Sequence, residues 1–366
     1  MPLTTLTPTE LLAAKATDFL ANDFLKESPM FGLLSNRVIN QPQKAIEWGA
    51  KVSQSAVGGR ARTGALGADD TAAQIVGASM SIPDYYFKHK FQVGKDEIVN
   101  AASTGKISAV SDPVQTELED AFDVLVKRIN SVLYTGSGVA DATNFGVVGL
   151  NNIVGANPAT GTYANINRAT YTRWRATRTQ GAAPGTPEAL TQARLDSVLT
   201  TRRTNGATYR GNQNGNLVIV TTDPIERTVL RTLYGSIVAN QNNDFTSMSK
   251  DLQPYVKYLV QGIPVISDVD CPANTAFLLD LRRFALYSFD QSNADRNNEK
   301  IQYIPLRYTD ETGMTPGEST LWVRLADVSD EHPDLLSFEL SVACQLVCYD
   351  PIVGITKLED IKNSIP

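Results

Sequence analysis

One stretch constrains this chain more than any other. Residues 55–73, SAVGGRARTGALGADDTAA, carry four glycines, Arg60 and Arg62, the adjacent pair Asp69 and Asp70, and Leu66 as the one large apolar side chain. Such a segment has nothing to bury, and ordering it costs about 1–2 kcal/mol per residue in backbone entropy. Strand patterns nevertheless stand on both sides of it. In KAIEWGAKVS, residues 44–53, Ile46, Trp48, Ala50 and Val52 share one face, a period of two that predicts a strand. SMSIPDYYFKHKFQV, residues 79–93, predicts the return strand. It puts Tyr85, Phe87, His89, Phe91 and Val93 on one face and Tyr86, Lys88, Lys90 and Gln92 on the other. Pro83 fits an edge or a bulge. The expectation is a long hairpin with a soft, charged tip that one chain alone cannot cover.

The segments around it differ in character. Residues 1–43 read as an arm: a short helix over 9–20, then Pro29 and Pro42, with scattered apolar residues and no core of their own. DPVQTELEDAFDVLVKRINSVLY, residues 112–134, predicts a helix with Asp112 as N-cap, Pro113 at the first helical position, Gln115 completing the cap and Gly136 ending it. Its apolar stripe is Leu118, Ala121, Phe122, Leu125, Ile129, Val132 and Leu133. At 1.5 Å per residue it spans about 33 Å, a strut. A compact α/β unit follows. It has a helix from Thr186-Pro187-Glu188 to Gly206, a strand at NLVIVT (216–221) and a second helix from Asp223-Pro224 to Gly235. An Asn-rich loop over 237–254 leads to strands at YLVQGIPV (258–265) and TAFLLDL (275–281). TLWVRLAD (320–327) and SFELSVACQLVCY (337–349) alternate again as strands. The class is α+β.

Composition narrows the chemistry. The chain has 366 residues and a net charge of −6, so phosphate neutralisation by the whole surface is disfavoured. It contains no apolar run long enough for a membrane span, and its N-terminus lacks the pattern of a secretory signal. His89 and His332 are the only histidines, which limits acid–base and metal chemistry. His89, in the aromatic row, is expected to be a packed or interface residue. Cys344 and Cys348 face the same way on a strand about 13 Å apart, too far for a disulfide. With Cys271 they are expected to be reduced. GGRARTG lacks the lysine and the Ser/Thr of a phosphate loop. Asp268 and Asp270 beside Cys271 follow a strand end, where α/β active sites often lie, but a solvated turn before Pro272 is the preferred reading. Arg168, Arg173, Arg175 and Arg178 around Trp174 are read as partners for acidic surfaces rather than for a phosphate backbone. No catalytic, cofactor or metal residues are assigned.

Taken in order, the arm, the alternating hairpin over 44–95, the strut DPVQTELEDAFDVLVKRINSVLY, the strand–helix NLVIVTTDPIERTVLRTLYG and the segment VQGIPVISDVDCPANTAFLLDL resemble the tailed-phage major capsid proteins of Hong Kong 97-type fold. That resemblance implies an N-terminal arm (1–43), an extended loop (44–100), a peripheral domain with its spine helix (101–154) and an axial domain (155–290). Return strands and the C-terminus (291–366) complete it. It implies a non-enzymatic shell subunit, assembled in the host cytoplasm into hexamers and pentamers around double-stranded DNA. A separate scaffolding protein, a portal and decoration proteins are its implied partners. Leu118, Phe122, Leu125 and Ile129 become the core of the spine, and Arg60, Arg62, Asp69 and Asp70 the contacts of the loop with a neighbouring subunit. Lys88, Lys90 and Lys95 are available for the loop cross-link that some members form, but no acidic catalyst is evident and none is expected. The alternatives are an encapsulin-like shell and, more distantly, an α/β hydrolase or transferase using Asp268 or Asp270.

Overall fold

The computed structural model describes residues 28–35, 37–53, 73–94, 96, 107–181, 184–205, 216–223, 225, 258–260, 263–290, 298, 300–306, 321–329 and 335–362, with side chains of the long helix from residue 116 onward. The tip of the hairpin, the helix expected over 9–20, the helix expected after Asp223, the Asn-rich loop, Lys95 and His332 lie outside these residues.

The hairpin forms, and its register follows the alternation. Strand Ala45–Lys51 pairs antiparallel with Ile75–Ser81, Ala45 opposite Ser81 and Lys51 opposite Ile75. Ile46, Ala50 and Val52 are buried and Trp48 half-buried. The return run is not one strand, however. It breaks at Ile82-Pro83-Asp84, and Phe87–Gly94 pairs with Leu335–Val342 in a different sheet. Proline donates no ladder hydrogen bond, so a change of sheet at Pro83 is the natural outcome. Phe87, Phe91 and Val93 are buried, His89 is half-buried, and Lys88 and Lys90 face solvent.

The long helix runs from Ile107 to Thr135, 29 residues or about 43 Å. It begins five residues before the expected cap, so Asp112 and Pro113 lie inside it; the first turn starts in the ISAV run. The predicted stripe is correct: Leu118, Ala121, Phe122, Leu125, Ile129, Val132 and Leu133 are all buried. The helix packs along Phe87–Gly94 and against the short helix Pro29–Ser35.

That short helix corrects the reading of the arm. Met30, Phe31, Leu33 and Leu34 are fully buried in the main core, and Val38–Gln41 pairs parallel with Phe284–Phe289. The apolar character of PMFGLLS therefore serves the body of the protein.

Three larger sheets result. The first orders Val38–Gln41, Phe284–Phe289 and Cys344–Cys348; the second, four-stranded, orders Ile301–Leu306, Leu321–Asp327, Leu335–Val342 and Phe87–Gly94. The run 337–349 therefore divides at Ala343 between two sheets. The third is six-stranded: Thr177–Thr179, Ile355–Leu358, Ala276–Asp280, Leu217–Thr221, Ile263–Ser267 and Tyr258–Val260. YLVQGIPV is thus two short antiparallel strands. Alternation gives this sheet two buried faces. Val218, Val220, Phe277 and Leu279 join the main core. Ile219, Val265 and Leu278 pack with Leu195, Val198 and Leu199 of the helix Gln192–Thr204. That helix starts five residues later than the Pro187 signal suggests, because Thr191 is the cap, accepting from Arg194 N at 3.2 Å. Strand Ile355–Leu358 brings the end of the chain back into the sheet next to Ala276–Asp280.

Candidate functional site

The part of the molecule that sequence singled out is the hairpin, and its root is well fixed. Ile46 and Ile82 bury themselves on Ala343 and Val347, with Trp48, Met80, Tyr86, Tyr287, Phe289 and Tyr349 around them. Trp48 meets Tyr349 edge to face at 5.7 Å, the favourable arrangement for two ring quadrupoles. Lys44 forms an ion pair with Asp84 and lies over the Tyr86 and Phe289 rings at 5.7 and 5.1 Å. Ile82 N donates to Lys44 O at 2.8 Å, and Ser79 N to Ala164 O at 3.1 Å. Between the root and the segments 138–148 and 162–165 opens a cleft of about 700 Å³ that includes Lys44, Met80, Asp84, Tyr163 and Asn165. Further out, Ile75 is largely exposed. The strand pair is held along one face, where Ala50, Val52 and Ala78 join the main core, and its other face leaves Ile75 open.

The body beneath is held by a polar knot. Asp268, 2% exposed, accepts from Asn130 Nδ2 at 3.0 Å (Oδ1) and 3.1 Å (Oδ2), from Tyr134 OH at 2.8 Å, from Met30 N at 3.2 Å and from Asp270 N at 3.0 Å. Asn130 also donates to Asp270 Oδ2 at 2.7 Å and accepts from Phe31 N at 2.9 Å. Burial raises the Asp268 pKa, and these hydrogen bonds oppose the rise. The solvated turn expected here is wrong for Asp268. Its acceptor capacity ties the short helix, the long helix and the six-stranded sheet together, which is structural work. Asn130 carried a legible signal: it is a polar residue on the apolar stripe, four residues after Val126.

With the hairpin, the strut and the sheets in place, comparison with known proteins decides what the scaffold is. The profile of the SU10 major capsid protein family matches residues 87–325. The chain belongs to this family. A chain in the capsid asymmetric unit of cyanophage A-1(L) is 65% identical, with a TM-score of 0.83 over 98% of this chain and 99% of that one. The capsid of an empty GTA particle, 12% identical with a TM-score of 0.50 over 92% of this chain and 90% of that one, shares the fold alone. No curated protein matches. The fold is the Hong Kong 97-type capsid fold, and the chain is a phage major capsid protein, a component of the virion.

In this capsid protein the arginine-rich segment turns inward. Arg168 caps the short helix Leu150–Val154, donating to Val154 O at 3.1 Å and Asn152 O at 3.3 Å. Arg173 faces Asp350 at 3.7 Å, Arg175 donates to Arg168 O at 2.7 Å, and Arg178 pairs with Glu359. Trp174 is buried and donates to Tyr163 O at 3.0 Å. The acidic partners expected for these arginines exist for Arg173 and Arg178 within the same chain, while Arg168 and Arg175 use carbonyls. Arg202, which sequence reasoning missed, is likewise buried and donates to Leu278 O at 3.0 Å and Thr356 Oγ1 at 3.1 Å. Desolvation lowers its pKa to about 10. Cys271, Cys344 and Cys348 are free and buried, and burial pushes the Cys344 thiol up to about 12. Of the residues singled out in the sequence, Leu118, Phe122, Leu125 and Ile129 of the long helix line one buried face. Arg60, Arg62, Asp69 and Asp70 lie outside the described residues.

Proposed function

We propose that this capsid protein is the repeating subunit of an icosahedral head shell, arranged in hexamers and pentamers around the double-stranded DNA of a tailed phage and assembled in the host cytoplasm. In this reading residues 155–290 form the axial domain at the capsomer centre. Residues 101–154 and 291–366 form the peripheral domain, 1–43 the arm, and 44–100 the extended loop that lies over a neighbouring subunit. Arg60, Arg62, Asp69 and Asp70 make the loop's contacts there. A separate scaffolding protein, a portal and decoration proteins are its partners, and the subunit catalyses nothing.

The observation that carries the reading is the hairpin itself. Two strands pack one face on the core through Ala50, Val52 and Ala78 and leave Ile75, on the other face, largely exposed. An exposed strand pair of this kind is stable when other surface covers it. Heterologous contact around rings supplies that cover repeatedly. The test is expression of the chain with and without its phage scaffold gene, followed by electron microscopy. Closed shells tens of nanometres across are expected. A protein that stays monomeric or forms only small oligomers under both conditions would refute the assignment.

A further inference from the structure

Gln345 is a polar interruption in an apolar row. Its neighbours on the same face, Ala343 and Val347, are buried beneath the hairpin root with Ile46 and Ile82, and Gln345 itself is 3% exposed. An amide buried there is costly unless its polar atoms are partnered. Both are. Oε1 accepts from Val148 N at 2.8 Å, and Nε2 donates to Ser81 O at 3.1 Å and more weakly to Gly146 O at 3.4 Å.

These partners belong to two different elements. Ser81 is the last residue of the hairpin's return strand, immediately before the chain changes sheet at Pro83. Gly146 and Val148 belong to the loop that follows the long helix, and Gly149 N closes that loop on Gly136 O at 2.8 Å, one residue past the helix end. Pro83 meets the same loop: a Cβ on Gly146, whose φ is +71°, would lie 2.4 Å from Pro83 Cβ. Apolar packing at the root is non-directional and permits sliding; the glutamine's hydrogen bonds supply direction.

We propose that Gln345 is a positioning residue for shell assembly, joining the hairpin's exit to the end of the long helix and fixing the angle at which the hairpin reaches the next subunit. The inference rests on the hairpin being an intersubunit element, as proposed above. Gln345→Glu tests it with almost no change of shape: the acceptor for Val148 N stays, while an acceptor replaces the donor facing Ser81 O and Gly146 O. Gln345→Met removes both functions. Hydrogen exchange on unassembled subunits should show the amides of Ser79, Ile82 and Val148 exchanging about tenfold faster in Gln345→Met, the scale of one lost hydrogen bond, with the six-stranded sheet still protected. Electron microscopy should show mixed shell diameters or few closed shells for both variants. If Gln345→Met fails to fold, Gln345→Glu decides alone. Shells of normal yield and diameter from the variants, or faster exchange spread evenly over the chain, would overturn the inference while leaving the shell function standing. Absence of shells from the unsubstituted chain would overturn the shell function and this inference with it.

Discussion

The side-chain amide of Asn130 donates to the buried carboxylate of Asp268, 3.0 Å from Oδ1 and 3.1 Å from Oδ2. The two residues are 138 positions apart, and the bond makes the long helix and the six-stranded sheet one body. Asp268→Asn keeps the shape and inverts the polarity. Met30 N, Tyr134 OH and Asn130 Nδ2 all donate toward Oδ2, and an NH2 group placed there opposes all three. Rotating the amide only moves the conflict to Asp270 N and Asn130. The variant subunit should lose about 3 kcal/mol in urea unfolding at neutral pH, the scale of hydrogen bonds to a charged group. An unchanged midpoint would mean that the knot is incidental to stability.

The same carboxylate gives a pH signature. Its folded pKa is raised by burial, so its contribution to stability is fully present below the unfolded value and is lost as pH rises through the folded value. The advantage of the unsubstituted subunit over Asp268→Asn should therefore be largest in acid. It should shrink as pH climbs above about 4, the ordinary aspartate value. Urea titrations at a series of pH values check the sign; an advantage that grows with pH contradicts it.

What was legible in the sequence was whatever a period of two or of 3.6 encodes. Ile46, Ala50, Phe91 and Leu125 are buried where alternation or the helical stripe put them. Alternation says nothing about which sheet a strand joins, so the breaks at Pro83 and Ala343 were invisible even though the faces on either side were right. The cap signal at Asp112-Pro113 lost to upstream helix propagation. Asp268, Arg202 and Gln345 were illegible as buried residues because their partners are mostly far away in sequence, several of them backbone groups. A polar residue inside an apolar stripe, as with Asn130, is the one local trace such networks leave.

Adjacent positions on the long helix offer a clean contrast. Leu125 is 3% exposed and Val124 42%. Leu125→Ala should cost about 2–5 kcal/mol through lost burial and the cavity left behind, whereas Val124→Ala should stay within about 0.5 kcal/mol. Equal losses in chemical denaturation would show that the helix face is wrongly assigned.

The end of that helix depends on a backbone contact. A Cβ on Gly149 would lie 2.7 Å from Gly136 N, 2.8 Å from Val132 O and 2.9 Å from Tyr134 C, all main-chain atoms that no side-chain rotation can clear. Gly149→Ala should destabilise the subunit by about 2 kcal/mol or more. Gly161 is the control: its φ is +78° but a Cβ there meets nothing, so Gly161→Ala carries only left-handed strain of about 1 kcal/mol. Thermal unfolding of the two variants ranks them, and the reverse order contradicts the close approach.

The hairpin tip is where folding and assembly should separate. In the proposed shell, Arg60 and Arg62 meet carboxylates of a neighbouring subunit, and the glycines around them let the backbone follow its surface. Replacing both arginines by glutamate reverses the charge at the contact while leaving the buried residues of the main core as they are. The double variant should therefore keep the circular dichroism spectrum and unfolding midpoint of the free subunit. Its assembly should fail or yield shells that fall apart at lower temperature. Any contact that survives should weaken further as salt shortens the screening length from about 10 Å at 0.1 M to about 3 Å at 1 M. Sedimentation of assembly mixtures at low and high salt reads both effects. Normal shell yield and normal thermal stability in the double variant would leave Arg60 and Arg62 as solvated surface charges and remove the electrostatic part of the loop's role.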